Sequence, residues 1–216
     1  MTSIKAYSVG IGITTYNRPD MLEKCLEHIY KHTNNTYQLY VAVDKDDDRQ
    51  GISKRKNECL RVLKDCDHIF LLDDDCYPVK DGWVDFFVSS GYNHLLYLNQ
   101  SHNYMKTING NAKVYRDCGG VFMYMTKECI KDVGAFNEKF EIFGFEHADY
   151  SQRVYKAGLT VAPYICLNGT SEYIYSEDYS NPNHKSSLSI EEKNKHIKNN
   201  WNKFFNKEIK SIYLPL

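Results

Sequence analysis

Three short apolar runs constrain the fold of this chain more than any other feature: Ser8–Tyr16 (SVGIGITTY), Leu39–Asp44 (LYVAVD) and His68–Asp73 (HIFLLD). Each is rich in β-branched residues and lacks polar alternation, the pattern of a strand covered on both faces. Between the first two lies the turn Asn17-Arg18-Pro19-Asp20, after which Met21, Leu22, Cys25, Leu26 and Ile29 recur at helical spacing. Between the second and third, Ser53–Leu63 carries Cys59, Leu60 and Leu63 on one side. Strands alternating with helices predict a Rossmann-like, mostly parallel sheet with helices on both faces. Ligands of such sheets bind at the carboxyl ends of the strands. Here those ends bear Thr14-Thr15-Tyr16, Asp44 and Asp73-Asp74-Asp75.

The second half is less regular. Short helices are expected at Trp83–Val88 and Thr126–Val133, and strands at Leu95–Leu98, Gly120–Met125 and Val161–Leu167. Two polar, turn-rich stretches, Asn99–Asp117 and Glu172–Ser187, predict mobile loops. Glu146–Ala157 predicts a helix with Tyr150, Val154 and Ala157 on its apolar side and Glu146, Asp149 and Arg153 opposite. Ser189-Ile190-Glu191-Glu192 is a capping-box pattern opening a last helix, whose Ile190, Ile197, Trp201, Phe204 and Phe205 are expected to dock on the domain.

The 216 residues suit one domain, residues 1–216, with a nucleotide-binding half to about residue 100 and an acceptor half beyond it. That length also suits a domain cut from a longer chain. A net charge of -1 gives no footprint for nucleic acid. Seven scattered cysteines, none in CxxC spacing, suggest neither a zinc site nor a disulfide framework, and fit a reducing compartment. No stretch approaches a membrane span, and Met1–Tyr7 lacks the pattern of a signal peptide. A cytoplasmic location is the expectation, in which the sequons at Asn34, Asn99 and Asn168 carry no sugar.

The acidic triplet is the strongest chemical signal. In an extended segment Asp73 and Asp75 point the same way. Two carboxylates roughly 5 Å apart repel by about 3 kcal/mol at an effective dielectric near 20. A hard divalent cation, Mn²⁺ or Mg²⁺, removes that penalty. An isolated acidic triplet is more often a solvated turn; its place after a buried strand at the binding edge argues for the metal.

Six segments, taken in order, resemble the family 2 glycosyltransferases of GT-A fold: Ser8–Ile29 with its Thr-Thr-Tyr-Asn-Arg, Val43-Asp44, Ser53–Asn57 (SKRKN), Leu71–Pro78 (LLDDDCYP), Gly119–Phe140 and Gly144–Gly158 (GFEHADYSQRVYKAG). A narrower resemblance is to the N-terminal domain of a capsid-glycosylating enzyme of chloroviruses. The family resemblance implies an inverting, metal-dependent transfer of a sugar from a nucleotide-sugar, UDP-linked by expectation, to a glycan hydroxyl. It implies that Thr14, Thr15, Tyr16 and Arg18 line the nucleotide pocket, with Asp44 on the base and Arg55 supporting it. It further implies that Asp74 faces the ribose and that Asp75, Asp73 and His184 hold the metal.

The chain departs from the family at Glu146-His147, where Glu-Asp is usual. The base that deprotonates the acceptor is therefore open among Glu146, His147 and Asp149. A His at a helix N-terminus is expected to be neutral at pH 7 and available as a base. Two other functions remain: a sugar nucleotidyltransferase, which would carry a Gly-rich basic loop that Thr14–Asp20 lacks, and a non-catalytic nucleotide- or metal-binding module.

Overall fold

A computed structural model describes residues 7–206 and 211–216. The chain opens with β1 (Val9–Tyr16), α1 (Pro19–His32), β2 (Tyr37–Asp44), α2 (Ile52–Leu63) and β3 (His68–Asp73). Next come β4 (Cys76–Pro78), α3 (Trp83–Val88), β5 (His94–Leu96), β6 (Tyr104–Ile108), β7 (Ala112–Tyr115), β8 (Phe122–Thr126) and α4 (Lys127–Val133). The remainder is α5 (Glu146–Lys156), β9 (Ile165–Leu167), α6 (Thr170–Tyr173), β10 (Ile174–Ser176), α7 (Glu177–Ser180) and α8 (Ile190–Phe205).

The central sheet has the order β2-β1-β3-β8-β5. β1 pairs in parallel with β2 and β3, while β8 runs antiparallel to both of its neighbours. Four of the five strands thus share one direction. Val9 through Thr15 are all buried, so both faces of β1 are covered, as its unbroken apolar run requires. Register places Tyr16 opposite Asp44 and Thr14 opposite Asp73, which levels the carboxyl ends of β1, β2 and β3 along one edge. α1 begins with Pro19 and Asp20 and ends with Lys31 and His32, charges that suit its dipole. α2 packs close on β1 because residue 12 is glycine: a Cβ there would lie 2.8 Å from both Cys59 Cβ and Leu71 Cδ2. Phe70 centres the core, with the rings of Trp83 and Tyr124 at 4.7 and 5.1 Å.

Both stretches expected to be loops contain regular elements. Asn99–Asp117 contains the hairpin β6-β7, and β7 also pairs with β9. Its first strand is almost wholly exposed, so no apolar alternation marks it in the sequence. Within Glu172–Ser187, β10 pairs antiparallel with β4, and buried Glu177 accepts hydrogen bonds from Lys24 Nζ and Tyr77 Oη, each at 2.7 Å. The strand expected at Val161–Leu167 shortens to β9.

The capping box of α8 forms as expected: Glu192 N–H donates to Ser189 Oγ, and Ser189 N–H donates to the Glu192 carboxylate. The helix docks in part as expected, with Phe204 packed 5.2 Å from the Phe145 ring. Its buried anchor is Asn200, whose amide donates to the carbonyls of Phe143 and Gly144, whereas Ile190, Ile197, Trp201 and Phe205 are exposed. Among the described residues no helix is long and apolar enough to cross a membrane.

Candidate active site

The levelled strand ends open into a cavity of about 940 Å³, roofed on its far side by the start of α5 and by α8. That volume lies within the range of small-molecule sites. Thr14, Thr15, Tyr16, Arg18, Asp44, Arg55, Asp73, Asp75, Glu146 and His147 all line it. Asp74, Asp149 and His184 are not among its lining residues.

On the β2 side, Asp44 organises the loop that leads into α2. Its Oδ1 accepts from Gln50 N–H at 2.8 Å and from Arg55 Nε at 3.2 Å, and its Oδ2 accepts from Gly51 N–H at 2.8 Å. Gly51 takes φ +84°, and a Cβ there would run into the Glu141 carbonyl, so only glycine fits this turn. With three bonds made, one Oδ2 lone pair of Asp44 remains for a ligand. Arg55 is also held by Glu58 at 2.8 Å.

The acidic triplet divides its labour. Asp73 ends β3 with Oδ1 accepting from Thr14 Oγ1 at 3.0 Å and lying 3.8 Å from Lys56 Nζ. Asp74 is fully buried behind the cavity wall, accepting from Thr15 Oγ1 at 2.6 Å and from Arg18 Nη2. In this position Asp74 holds the β1 loop through Thr15 and Arg18. Burial pushes the Asp74 carboxyl above the ordinary range, outweighing the Arg18 guanidinium beside it.

Asp75 makes the corner that suits a cation. Its Oδ2 lies 3.1 Å from His184 Nε2, bringing together two groups 109 residues apart, and its Oδ1 is buried with no hydrogen-bond partner. Arg18 Nη1 supplies the compensating charge, 2.8 Å from Asp75 Oδ2 and 3.3 Å from His184 Nε2. Asp73 does not join them: among the described residues no three His, Cys, Asp or Glu side chains gather to hold a metal ion. A carboxylate beside an imidazole, with the second carboxylate oxygen left unpartnered, fits a divalent cation that takes its other ligands from substrate phosphate and water.

Across the cavity, α5 begins at Phe145, which takes φ +74°, a strained conformation for a bulky side chain. This entry turn packs the Phe145 ring on Phe204 and Trp201 and sends Glu146 and His147 inward. Glu146 Oε1 accepts from His147 Nδ1 at 2.9 Å, and His147 Nε2 donates to the Cys118 carbonyl at 3.2 Å. Burial opposes both charges, but mutual attraction outweighs it, so the Glu146 carboxyl is driven down and the His147 imidazole up. The expectation of a neutral His147 is thereby corrected: with both ring nitrogens donating, it has no lone pair to act as a base. Glu146 Oε2, by contrast, is buried without a partner. Asp149 lies outside the cavity lining and is bound to Arg153 Nε at 2.8 Å, which also ties α5 to the Val133 and Ala135 carbonyls.

Sequence reasoning missed Lys56. It is wholly buried, donates to the Gly120 carbonyl at 2.9 Å, and stands 3.6 Å from Glu146 Oε1 as well as 3.8 Å from Asp73. It stands between Asp73 at the end of β3 and Glu146 at the start of α5. A lysine on a helix is ordinarily solvated, so nothing in the pattern singles it out. Tyr179 was missed too: its buried hydroxyl lines the cavity without a partner.

The order of strands and helices is that of the GT-A fold. Drosophila β1,4-galactosyltransferase 7, solved with manganese, UDP-Gal and xylobiose, superposes with a TM-score of 0.51 at 15% identity, over 87% of this chain and 79% of that one. Staphylococcus aureus TarS in complex with UDP gives 0.57 at 16% identity, over 92% and 72%. A Pyrobaculum calidifontis mannosyltransferase with GDP-Man and Mn²⁺ gives 0.55 at 12% identity, over 75% and 55%. In sequence, residues 99–177 match the family described as the N-terminal domain of galactosyltransferase. An uncharacterised glycosyltransferase of Acanthamoeba polyphaga mimivirus is 31% identical in an alignment 136 residues long that covers 57% of this chain. The chain spans about half of that relative's length, 53%. The chain thus has the GT-A fold, and part of its sequence is similar to glycosyltransferases.

Proposed function

We propose that the chain transfers a sugar from a nucleoside diphosphate sugar, UDP-linked, to a hydroxyl of a glycan acceptor, with inversion and with a divalent cation bound. The observation that carries this reading is that two half-satisfied carboxylates line one cavity: Asp75 with an orphaned Oδ1 and its other oxygen beside His184, and Glu146 with an orphaned Oε2. Tyr16 and the open lone pair of Asp44 provide for the base, and Thr15, Asp74 and Arg18 fix the wall between base and diphosphate. Asp75 and His184 would hold Mn²⁺ or Mg²⁺, which when bound supplies Lewis-acid stabilisation of the departing diphosphate.

Glu146 is the base. Its Oε2 accepts the acceptor hydroxyl, orients that oxygen, and takes the proton as attack on the anomeric carbon makes the hydroxyl acidic. Because its pKa is driven down, proton transfer runs late, and much of its contribution is orientation. His147 and Lys56 keep Glu146 ionised and aimed. The test is Glu146→Gln against Asp149→Asn, with UDP affinity by calorimetry and UDP release from UDP-sugars with Mn²⁺. Glu146→Gln should lose about 10²- to 10⁴-fold in turnover with UDP binding intact. Loss confined to Asp149→Asn would contradict the assignment.

A further inference from the structure

On the base side of the cavity, the planar cation of Arg49 lies over the ring of Tyr16, with Cζ 3.9 Å from the ring centroid. Both residues line the cavity. The ring cannot tilt away freely. Tyr16 Oη donates to Asp46 Oδ1 at 2.5 Å, and Asn17 Nδ2 donates to the other oxygen of Asp46 at 2.7 Å. The loop carrying Arg49 is pinned behind it, where Gln50 and Gly51 donate to Asp44, but the Arg49 side chain is less restrained. Its Nε is buried with no hydrogen-bond partner, whereas neighbouring Arg55 is held by Asp44 and Glu58. Asp44, Arg49 and Tyr16 therefore present an in-plane acceptor, an uncommitted planar cation and a fixed aromatic face at one end of the cavity.

We infer that Arg49 is a nucleobase clamp: the base of the donor enters between the Tyr16 ring and the Arg49 guanidinium, which lifts by one ring thickness and closes on the base's outer face. This rests on the donor being a nucleoside diphosphate sugar, as proposed above. At 3.9 Å from the ring centroid the guanidinium carbon is in contact with the Tyr16 face, the place a stacked base would take. Lifting exchanges one cation–π contact for two stacked faces, base on tyrosine and guanidinium on base. It also frees the trapped Nε–H to find a partner. The required chemistry is a planar, electron-rich heterocycle. Charge alone is insufficient, because a lysine in the same place presents no plane.

The experiment measures UDP, GDP and inorganic pyrophosphate binding with Mn²⁺ by calorimetry, for the wild type, Arg49→Ala and Arg49→Lys. Both variants should weaken UDP by about 5- to 30-fold. Pyrophosphate, which has no base, should bind as before. An equal loss for GDP would show the clamp to be indifferent to the base; a loss for UDP alone would make it uracil-selective; either supports it. Unchanged or tighter UDP binding by Arg49→Ala would overturn the clamp. So would restoration by lysine, or a parallel loss of pyrophosphate, since both would make Arg49 a phosphate ligand. Failure of the wild type to bind any of the three would instead refute the donor reading itself.

Discussion

Replacing Lys56 with methionine should unfold the site from within. The side chain is wholly buried, and its ammonium stands 3.6 Å from Glu146 Oε1 and 3.8 Å from Asp73 Oδ1. At an effective dielectric near 20, each separation corresponds to about 4 to 5 kcal/mol of attraction. The Asp73 share is the smaller in practice, because that side chain is 24% exposed and water screens it. Against these gains stands the cost of desolvating the ammonium, several kcal/mol. Removing one partner leaves the other charges uncompensated, which costs about 3 to 5 kcal/mol. For a chain of this size that is a fall of about 6 to 20 °C in Tm. Thermal unfolding followed by circular dichroism at pH 7 reads it directly. The double variant Lys56→Met with Glu146→Gln should recover part of the loss, because the stranded carboxylate is then neutral. A Tm within about 3 °C of wild type for the single variant would refute the reasoning, since the lysine would then have been bearing no charge balance.

Two further outcomes follow from the α5 entry. A Cβ on residue 120 would lie 2.7 Å from His147 Nδ1, so Gly120→Ala should push the imidazole off Glu146. Turnover should then fall about a hundredfold while UDP affinity is kept, and equal loss of both would contradict this. The Glu146–His147 pair also sets a pH window. His147 is raised from 6.5 to about 10, so its stabilisation is complete below 6.5 and fades as pH climbs through 10. Glu146 is lowered from 4.5 to about 2, so its share is complete above 4.5 and fades as pH falls towards 2. The difference in unfolding free energy between wild type and His147→Gln should therefore be largest from about pH 4.5 to 6.5 and shrink above it; a difference flat to pH 10 would count against the ion pair.

The half of the site built on parallel strands was legible because burial on two faces writes itself into composition. Val9–Thr15 could only be a covered strand, and once three such strands were in order, Thr14, Tyr16, Asp44 and Asp73 had to fall on one edge. What the sequence hid were polar groups whose partners come from far away. Lys56 resembles any solvated helical lysine until Gly120, 64 residues on, supplies its acceptor. His147 was expected neutral from the helix dipole alone, and the adjacent Glu146 overrides that weaker field at 2.9 Å. Glu172–Ser187 has the composition of a mobile loop, yet Lys24 and Tyr77 bury Glu177 and order the segment. On α8 Phe204 docks as its place in the apolar stripe predicts, while Trp201 and Phe205 stay half exposed at the cavity rim and an asparagine supplies the buried polar anchor.

The central claim is that Asp75, paired with His184, makes this cavity a cation-dependent site for a nucleotide-sugar. Release of nucleoside diphosphate from a panel of UDP- and GDP-sugars, with Mn²⁺ or EDTA, for wild type and Asp75→Ala, tests it most directly. The wild type should release UDP only with the metal, and Asp75→Ala, still folded, should release none. Release that survives EDTA, or an Asp75→Ala variant as active as wild type, would contradict the account.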